Sequence, residues 1–587
     1  MTVNPVEAES LIDLARAEDF SDEQFLKCYT ETERERDIVT KLKGPGAHLI
    51  EGPRGVGKST LLKKAELELD SAYINEKALA VYVNFKASLL VDTGTNEIGY
   101  NPFLCWVVAK LLDSFYKKCR LLHVLTTEEI GSRYQRLLGI PTSDTVSDLE
   151  EIIRDLQGLS IAVTEEKKTE ITTRLNGRGL DNFANVESVA DFVRQIAKDK
   201  KLSKVIFLFD EAAHTFDEQQ QEVFFEFFKL LHGDVIAVKA AVYPGITSYG
   251  GNFEIGQDAI KISISSVDEN LEVARNQLRN HFRELLQKRL SGAEFGKLVS
   301  RGDALDLIVM LSNGNPRMFL QAVSKLIASK EISKRSALSA SNDFVSSELV
   351  NYLLGLKKRL PRFASHIDLG MDLIKAHLIP ELQKKNEGKG DNPSIQTIYF
   401  TIDPLIQHKV QKSITLLEYS GFLYAKSVVK TAKRKQAKRY ALHLGVAAND
   451  KVFHSQFSRD PDKAIRLLSI ADYREFYASD VRFSELVADH PAQETCPNGH
   501  VRQAGGNFCP MCGAKFEFDH IVESLLNDSI NNLSLSQFLR KSLTNEFNAL
   551  TVRDVLNLTE TKLQKADWIG PKRSREIINA AEEYISG

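Results

Sequence analysis

The chain has 587 residues, 43% of them hydrophobic and 26% charged, with a net charge of −3. That length predicts about four domains of ordinary globular composition, and the near-neutral charge excludes a globally polybasic nucleic-acid binder, so any basic surface is local. No apolar run is long enough to span a bilayer, the acidic start after Met1-Thr2-Val3-Asn4-Pro5 is no secretory leader, and six cysteines in so long a chain make no disulfide framework. A reducing cytoplasm with no membrane partner is therefore expected.

In chain order, Asp22 to Leu42 reads as helical, and Ala47-His48-Leu49-Ile50 reads as a strand. The strand feeds Gly52-Pro53-Arg54-Gly55-Val56-Gly57-Lys58-Ser59-Thr60, a full G-x-x-x-x-G-K-[ST] match, and Leu61 to Ala65 leaves it as a helix. Strand, loop and helix in that order give the pattern a mechanism. Gly52, Gly55 and Gly57 let the backbone wrap a phosphate, with amide N–H groups pointing inward at the helix N-terminus. Lys58 is placed to reach the β- and γ-phosphates of ATP, and the Ser59 hydroxyl to ligate Mg²⁺. Ala78 to Phe85 reads as a second strand. The distance from there to Val205 far exceeds a crossover, and Leu121 to Asn182 reads as a helical insertion with no assigned role.

Val205-Ile206-Phe207-Leu208-Phe209 is a buried-strand run ending in Asp210-Glu211. A strand parallel to the first delivers both carboxylates to the phosphate end of the sheet. There Asp210 holds Mg²⁺ through water and Glu211 acts as general base on the attacking water. His214 makes Asp-Glu-Ala-Ala-His, one residue too long for a helicase box, and reads as a polar residue after the strand. Val235 to Tyr243 is a further strand. Ser312-Asn313-Gly314-Asn315-Pro316-Arg317 is a turn preceding an amphipathic helix from Met318 to Val323.

With the two upstream motifs, that turn resembles the sensor 2 motif of AAA+ ATPases, particularly the initiator and origin-recognition branch, and also the related STAND signalling ATPases. The resemblance implies an α/β P-loop core with a parallel sheet, and a helical lid from which Arg317 reaches the γ-phosphate. It also implies a sensor 1 residue near the end of the Val235–Tyr243 strand, either Tyr243 or Thr247. One departure stands out: no arginine occurs between Arg194 and Arg275, where ring ATPases usually carry an arginine finger. Arg275, Arg279, Arg283 or Lys229 serves instead, or hydrolysis is slow and the chain is a switch more than a motor.

His366 to Gln383 and Leu405 to Tyr419 read as helices, followed by strands Phe422-Leu423-Tyr424 and Arg439 to His443. Between them Lys426, Lys430, Lys433, Arg434, Lys435, Lys438 and Arg439 accumulate with no acid. Helix, helix and basic hairpin resemble a winged helix, and such cations neutralise phosphates, so DNA is the expected partner. Ala447 to His490 reads as a mostly helical bridge.

Cys496-Pro497-Asn498-Gly499-His500 and Cys509-Pro510-Met511-Cys512 form a C-x₃-H-x₈-C-x₂-C pattern. Two knuckles supply four N/S ligands (Cys496, His500, Cys509 and Cys512), a closed tetrahedral zinc site of structural type. It looks like a zinc ribbon, and such ribbons bind nucleic acid or protein. Asn545 to Ile585 is similar to helix-hairpin-helix domains and to the C-terminal domain of the bacterial RNA polymerase α subunit. That likeness puts Gly570, Lys572 and Arg573 at a hairpin that grips a DNA phosphate, although Trp568 replaces the first hairpin glycine and a protein contact is equally open.

The expected architecture is thus a core (1–265, insertion about 121–182), a lid (266–340), a winged helix (341–446), a helical linker (447–490), a zinc ribbon (491–520) and a small helical domain (521–587). The expected function is an ATP-dependent switch that binds DNA and recruits or licenses a second protein, with a homo-oligomer also open. Bacterial chains of this build occur in mobile elements and antiphage defence, and the resemblance implies such a setting. The alternative is a STAND-like signalling ATPase that oligomerises on a protein or RNA trigger.

Overall fold

The computed structural model describes residues 20–86, 88, 91, 100–138, 145–161, 165–212, 218–264, 271–359, 363–390, 393–432, 436–489 and 525–586. His214, the basic tip Lys433-Arg434-Lys435 and the four cysteine and histidine zinc candidates lie outside these residues.

Five strands form one parallel sheet: β1 (Ala47–Glu51), β2 (Ala78–Asn84), β3 (Lys204–Asp210), β4 (Ile236–Val242) and β5 (Ile260–Ser263), in the order β2-β3-β4-β1-β5. β2, β3 and β4 are near-continuous apolar runs because helices cover both faces of a parallel sheet, whereas the edge strand β5 is largely exposed. Period two divides them. Ile50, Ala80, Ile206, Leu208 and Ala241 pack on the helix Lys58–Glu76 through Leu61, Leu62, Ala65 and Leu69. Leu49, Val81, Phe207, Phe209 and Val238 face the large core on the other side. Each fully buried Leu or Phe in these rows contributes roughly 1.5–3 kcal/mol.

Between β2 and β3 lies a helical stack: Pro102–Leu121, Thr127–Leu138, Thr145–Ile161, Glu165–Asn176 and Val186–Asp199. The first is capped by Asn101, whose side chain accepts from the Leu104 N–H at 3.1 Å, with Pro102 at the first helical position. A buried ion cluster joins this helix to the one leaving the phosphate loop: Lys118 Nζ lies 2.6 Å from both Glu66 and Asp70. Removing one partner of such a pair typically costs about 3–5 kcal/mol.

After β5 come helices Leu271–Gln287, Gly292–Ser300, Gly302–Leu311 and Pro316–Ala328. Lys334–Phe344 then continues through a π-type turn, Val345–Leu349, into Val350–Arg359. The boundary expected at 340/341 therefore falls within continuous helix.

The second sheet is four-stranded, in the order β7-β8-β6-β9, from β6 (Tyr399–Ile402), β7 (Leu423–Lys430), β8 (Gln436–Leu442) and β9 (Tyr473–Phe476). The helix His408–Ser420 joins β6 to β7. The stretch read as a helical bridge is only partly helical. Its Tyr473–Phe476 segment returns to pair in parallel with β6, because Phe476 finds Phe400 and Phe483 there. A final group of helices includes Gln537–Phe547 and Pro571–Ser586.

Candidate active site

The carboxyl ends of β1, β3 and β4 bring the two core motifs together. The loop after β1 runs from Gly52 to Gly57, and Lys58 opens the helix. Lys58 is 6% exposed; its Nζ donates to Gly52 O at 2.7 Å and Pro53 O at 3.0 Å. The ammonium also sits 3.9 Å from the centre of the Tyr243 ring. Burial pulls Lys58 down to about 7, against the nearby carboxylates of Glu211 and Asp210, with Arg54 and Arg317 adding repulsion. The acidic pair and the lid arginine are therefore within electrostatic reach of the lysine.

Asp210 ends β3 and is 1% exposed. Its Oδ2 accepts from the Tyr82 hydroxyl at 2.5 Å, and its Oδ1 from the Glu211 N–H at 3.0 Å. Glu211 adopts φ 57°, a left-handed backbone that non-glycine residues rarely take. Its Oε2 accepts from the Tyr243 hydroxyl at 2.9 Å. Burial and then Glu211 push the Tyr243 phenol well above its ordinary range, which keeps it a donor. Tyr243 directly follows β4. Thr247 bonds the Tyr243 backbone instead: it accepts from the N–H at 3.1 Å and donates to the carbonyl at 2.8 Å. Of the two sensor 1 candidates, Tyr243 faces the carboxylate.

The turn Ser312–Arg317 docks directly on the loop after β1. Asn315 Oδ1 accepts from Met318 N–H at 3.2 Å, capping the helix Pro316–Ala328, while its Nδ2 donates to Arg54 O at 3.2 Å. Gly55 faces that amide at φ 83°; a Cβ there would stand 2.8 Å from Asn315 Nδ2. Asn313 Oδ1 accepts from Leu444 N–H at 2.9 Å, so the same turn also touches the end of the second sheet.

Two tyrosines that sequence reasoning missed complete the site. Tyr419, near the end of the helix His408–Ser420, packs edge-on against Tyr243 with ring centres 5.0 Å apart. Its hydroxyl lies 2.7 Å from that of Tyr352, whose ring sits under the Arg54 guanidinium at 4.6 Å. Arg54 N–H donates to Tyr419 O at 3.4 Å. No local signal marks either residue, since Tyr352 and Tyr419 reach the loop from 298 and 365 residues beyond Arg54.

The candidates for an arginine finger are all held within the chain. Arg275 pairs with Asp462 at 2.5 Å, Arg279 with Asp306, and Arg283 lies 3.9 Å from Asp306. Lys229 pairs with Asp258 at 3.0 Å and donates to Asn252 O at 2.8 Å.

The basic hairpin divides. Lys430 is exposed at the end of β7. Lys438 lies 3.2 Å from Glu418. Arg439, expected on the DNA-facing surface, is instead 7% exposed; it donates to Ile470 O at 2.9 Å and to Ser427 Oγ at 2.7 Å. Inward strand alternation turns it into the sheet, and it cannot meet a phosphate. In the last helical group Trp568 takes φ 67° and is 80% exposed, so it occupies the left-handed position where a hairpin glycine was expected. Arg573 donates to Trp568 O at 2.7 Å and stacks over Phe538 at 5.2 Å. Lys572 lies in the first turn of the helix Pro571–Ser586. Among the described residues no group of three or more His, Cys, Asp or Glu is arranged to hold a metal, and no helix is long and apolar enough to cross a membrane.

No protein-family model matches the chain, and no curated protein matches it. Solved structures similar to it include the following three. The Aeropyrum pernix ORC1 protein in complex with DNA shares 13% identity over 75% of this chain and 95% of that one, with a TM-score of 0.29. The Aeropyrum pernix ORC2 protein (ADPNP-ADP complexes) shares 11% identity over 77% and 98%, with a TM-score of 0.31. The Drosophila ORC bound to DNA shares 12% over 77% and 93%, at 0.29. At these values the likeness assigns neither activity nor ligand to this chain.

Proposed function

We propose that the chain is an ATP-binding switch of AAA+ type, hydrolysing slowly, that binds DNA and recruits or licenses a partner protein. The observation that carries the reading is a convergence at the carboxyl end of a parallel sheet. A phosphate loop, an acidic pair and a lid turn meet there, with Asn315 bonded to the loop itself. The residues fit an ATP–Mg²⁺ ligand: a helix N-terminus behind glycines, a buried lysine, and carboxylates at the end of β3, which β4 separates from β1.

In this reading the backbone N–H groups of Gly55–Thr60 and the Lys58 ammonium hold the phosphates, in the loop that Gly52, Pro53 and Arg54 open. Ser59 and Asp210 hold Mg²⁺, Glu211 takes the proton of the attacking water, and Arg317 bears on the γ-phosphate from the lid. Bound ATP–Mg²⁺ supplies the scissile anhydride and the charge that these groups neutralise. Lys58 must first leave the carbonyls of Gly52 and Pro53. Lys58→Ala is expected to abolish ATP binding. Glu211→Gln should keep binding and lower turnover by about 10²-fold or more, since only the base is removed. Equal turnover in Glu211→Gln and the parent refutes the assignment.

DNA is proposed to lie along the exposed side of the β7–β8 hairpin, on Lys430 and the tip Lys433, Arg434 and Lys435, with Lys438 at its margin and Lys572 and Arg573 as a second contact. Cys496, His500, Cys509 and Cys512 are proposed to hold one structural Zn²⁺. Elemental analysis of chelator-free protein should find it, and Cys509→Ser should release it; zinc-free native protein refutes this. A signalling ATPase that assembles on a protein or RNA trigger is the second reading. What favours it is that Arg439 is withdrawn from the basic surface.

A further inference from the structure

The nucleotide reading leaves unexplained why a buried tyrosine from a distant helix touches the site. The helix His408–Ser420 is docked closely on the loop after β4. Gly245 there has φ 71°, and a Cβ on it would fall 2.5 Å from Thr415 Cγ2, inside any real contact. One turn further along the helix, Tyr419 is 0% exposed and packs on Tyr243. Tyr243 in turn does two things. Its hydroxyl binds the Glu211 carboxylate at 2.9 Å, and its ring covers the Lys58 ammonium at 3.9 Å. Lys58 meanwhile donates to carbonyls of its own loop. Both groups assigned to phosphate chemistry are therefore engaged by protein partners while the helix is docked.

We propose that Tyr419 and Tyr243 form an autoinhibitory contact: the docked helix His408–Ser420 presses Tyr419 onto Tyr243, and Tyr243 restrains Glu211 and covers Lys58. The inference rests on the nucleotide reading and adds its regulation. Release of the helix frees Tyr243 to lift, so that Lys58 turns outward and Glu211 leaves its phenol partner. By linkage, whatever displaces the helix favours ATP, and ATP favours displacement of the helix by the same factor. Tyr352 belongs to the same latch, because its hydroxyl meets that of Tyr419 and its ring supports Arg54. Tyr243, Tyr419 and Tyr352 are positioning residues, acting through Glu211 and Lys58.

The test uses the full chain and two readouts, equilibrium affinity for ATP–Mg²⁺ and turnover at saturating ATP. Tyr419→Ala removes the pressing ring, and should tighten ATP binding and raise turnover by about fivefold or more each. Tyr243→Phe keeps the ring over Lys58 and deletes the phenol's hold on Glu211, so turnover should rise by a larger factor than affinity changes; a sensor 1 role for the same hydroxyl would instead lower turnover. That split is not produced by general damage, which lowers both. Tyr419→Phe covers the case in which the alanine variant fails to fold; it cuts the link to Tyr352 and should raise turnover more modestly. If the parent binds ATP and these folded variants show unchanged or lower turnover, the latch is refuted and the nucleotide site stands. If the parent binds no ATP, the nucleotide reading itself fails, and the latch with it.

Discussion

At the carboxyl end of the five-stranded sheet, residues from 52 to 60, 210 to 211, 243 and 315 meet around one loop, each bonded to another member of the group. In the four-stranded sheet the cations of one hairpin part company: Lys430 faces outward, Lys438 pairs with Glu418, and Arg439 is absorbed into the fold. The first region is a site whose members are selected by backbone geometry. The second is a charge run, and a charge run says how many cations are present but not where each one points. The contrast teaches that dense positive sequence overstates positive surface whenever strand alternation sends every second side chain inward.

Several substitutions break or sharpen this contrast. Gly55→Ala attacks the geometric region, because the new Cβ meets Asn315 at a left-handed backbone position. A strain of about 1–3 kcal/mol should fall on the nucleotide-binding form, weakening ATP about 10-fold or more. Titration with a fluorescent ATP analogue checks it; parental affinity would mean the lid turn is not fitted to the loop. Arg439→Ala should destabilise the fold by about 2 kcal/mol, since buried acceptors lose a charged donor, and should leave the salt dependence of DNA binding unaltered. Denaturant melts and a salt series read both effects.

Replacing Lys433, Arg434 and Lys435 with alanine should do the reverse. Stability should stay near the parent's, and the salt slope should flatten by about 0.9 for each of about three phosphate contacts. If Arg439→Ala flattens the slope and the triple variant does not, the division of the hairpin is wrong.

The smallest effect sits at the seam between the two regions. His443 is 2% exposed, its Nδ1 accepts from Gly445 N–H at 3.0 Å, and burial pulls it down to about 3. A folded-state value below the unfolded one means the unfolded chain binds the extra proton. The stability held above about pH 6.5 is then lost as pH falls toward 3. Between pH 7 and 5.5 this one group should cost about 1 kcal/mol, and His443→Gln should shrink that acid loss. An identical acid limb in the variant would show that His443 titrates normally.

The core strands and the phosphate loop were legible because their signals are local. Val205 to Phe209 is an unbroken apolar run bounded by polar residues, and Gly52 to Ser59 carries its own backbone instructions. The strand carrying Tyr82 was legible but its role was not, since the contact of its hydroxyl with Asp210 arises only when β2 and β3 pair. Tyr352 and Tyr419 were not, because their role arises only when a helix of the second sheet folds back onto the first. The strand Tyr473–Phe476 escaped for the same reason: four residues alternate too briefly to declare a partner 74 residues upstream. Arg439 was misplaced because a count of cations ignores which strand face each occupies. Trp568 weakened the hairpin reading by its size, yet it takes the left-handed backbone expected of the missing glycine.

The central claim, a nucleotide-controlled DNA-binding switch, is tested most directly by duplex-DNA binding to the full chain across a salt series, with and without ATP–Mg²⁺. The account predicts affinity that falls steeply with salt and that ATP shifts, with Lys58→Ala binding DNA but blind to ATP. Duplex binding that is absent at low salt, or present with the same affinity whether or not ATP is added, would contradict it.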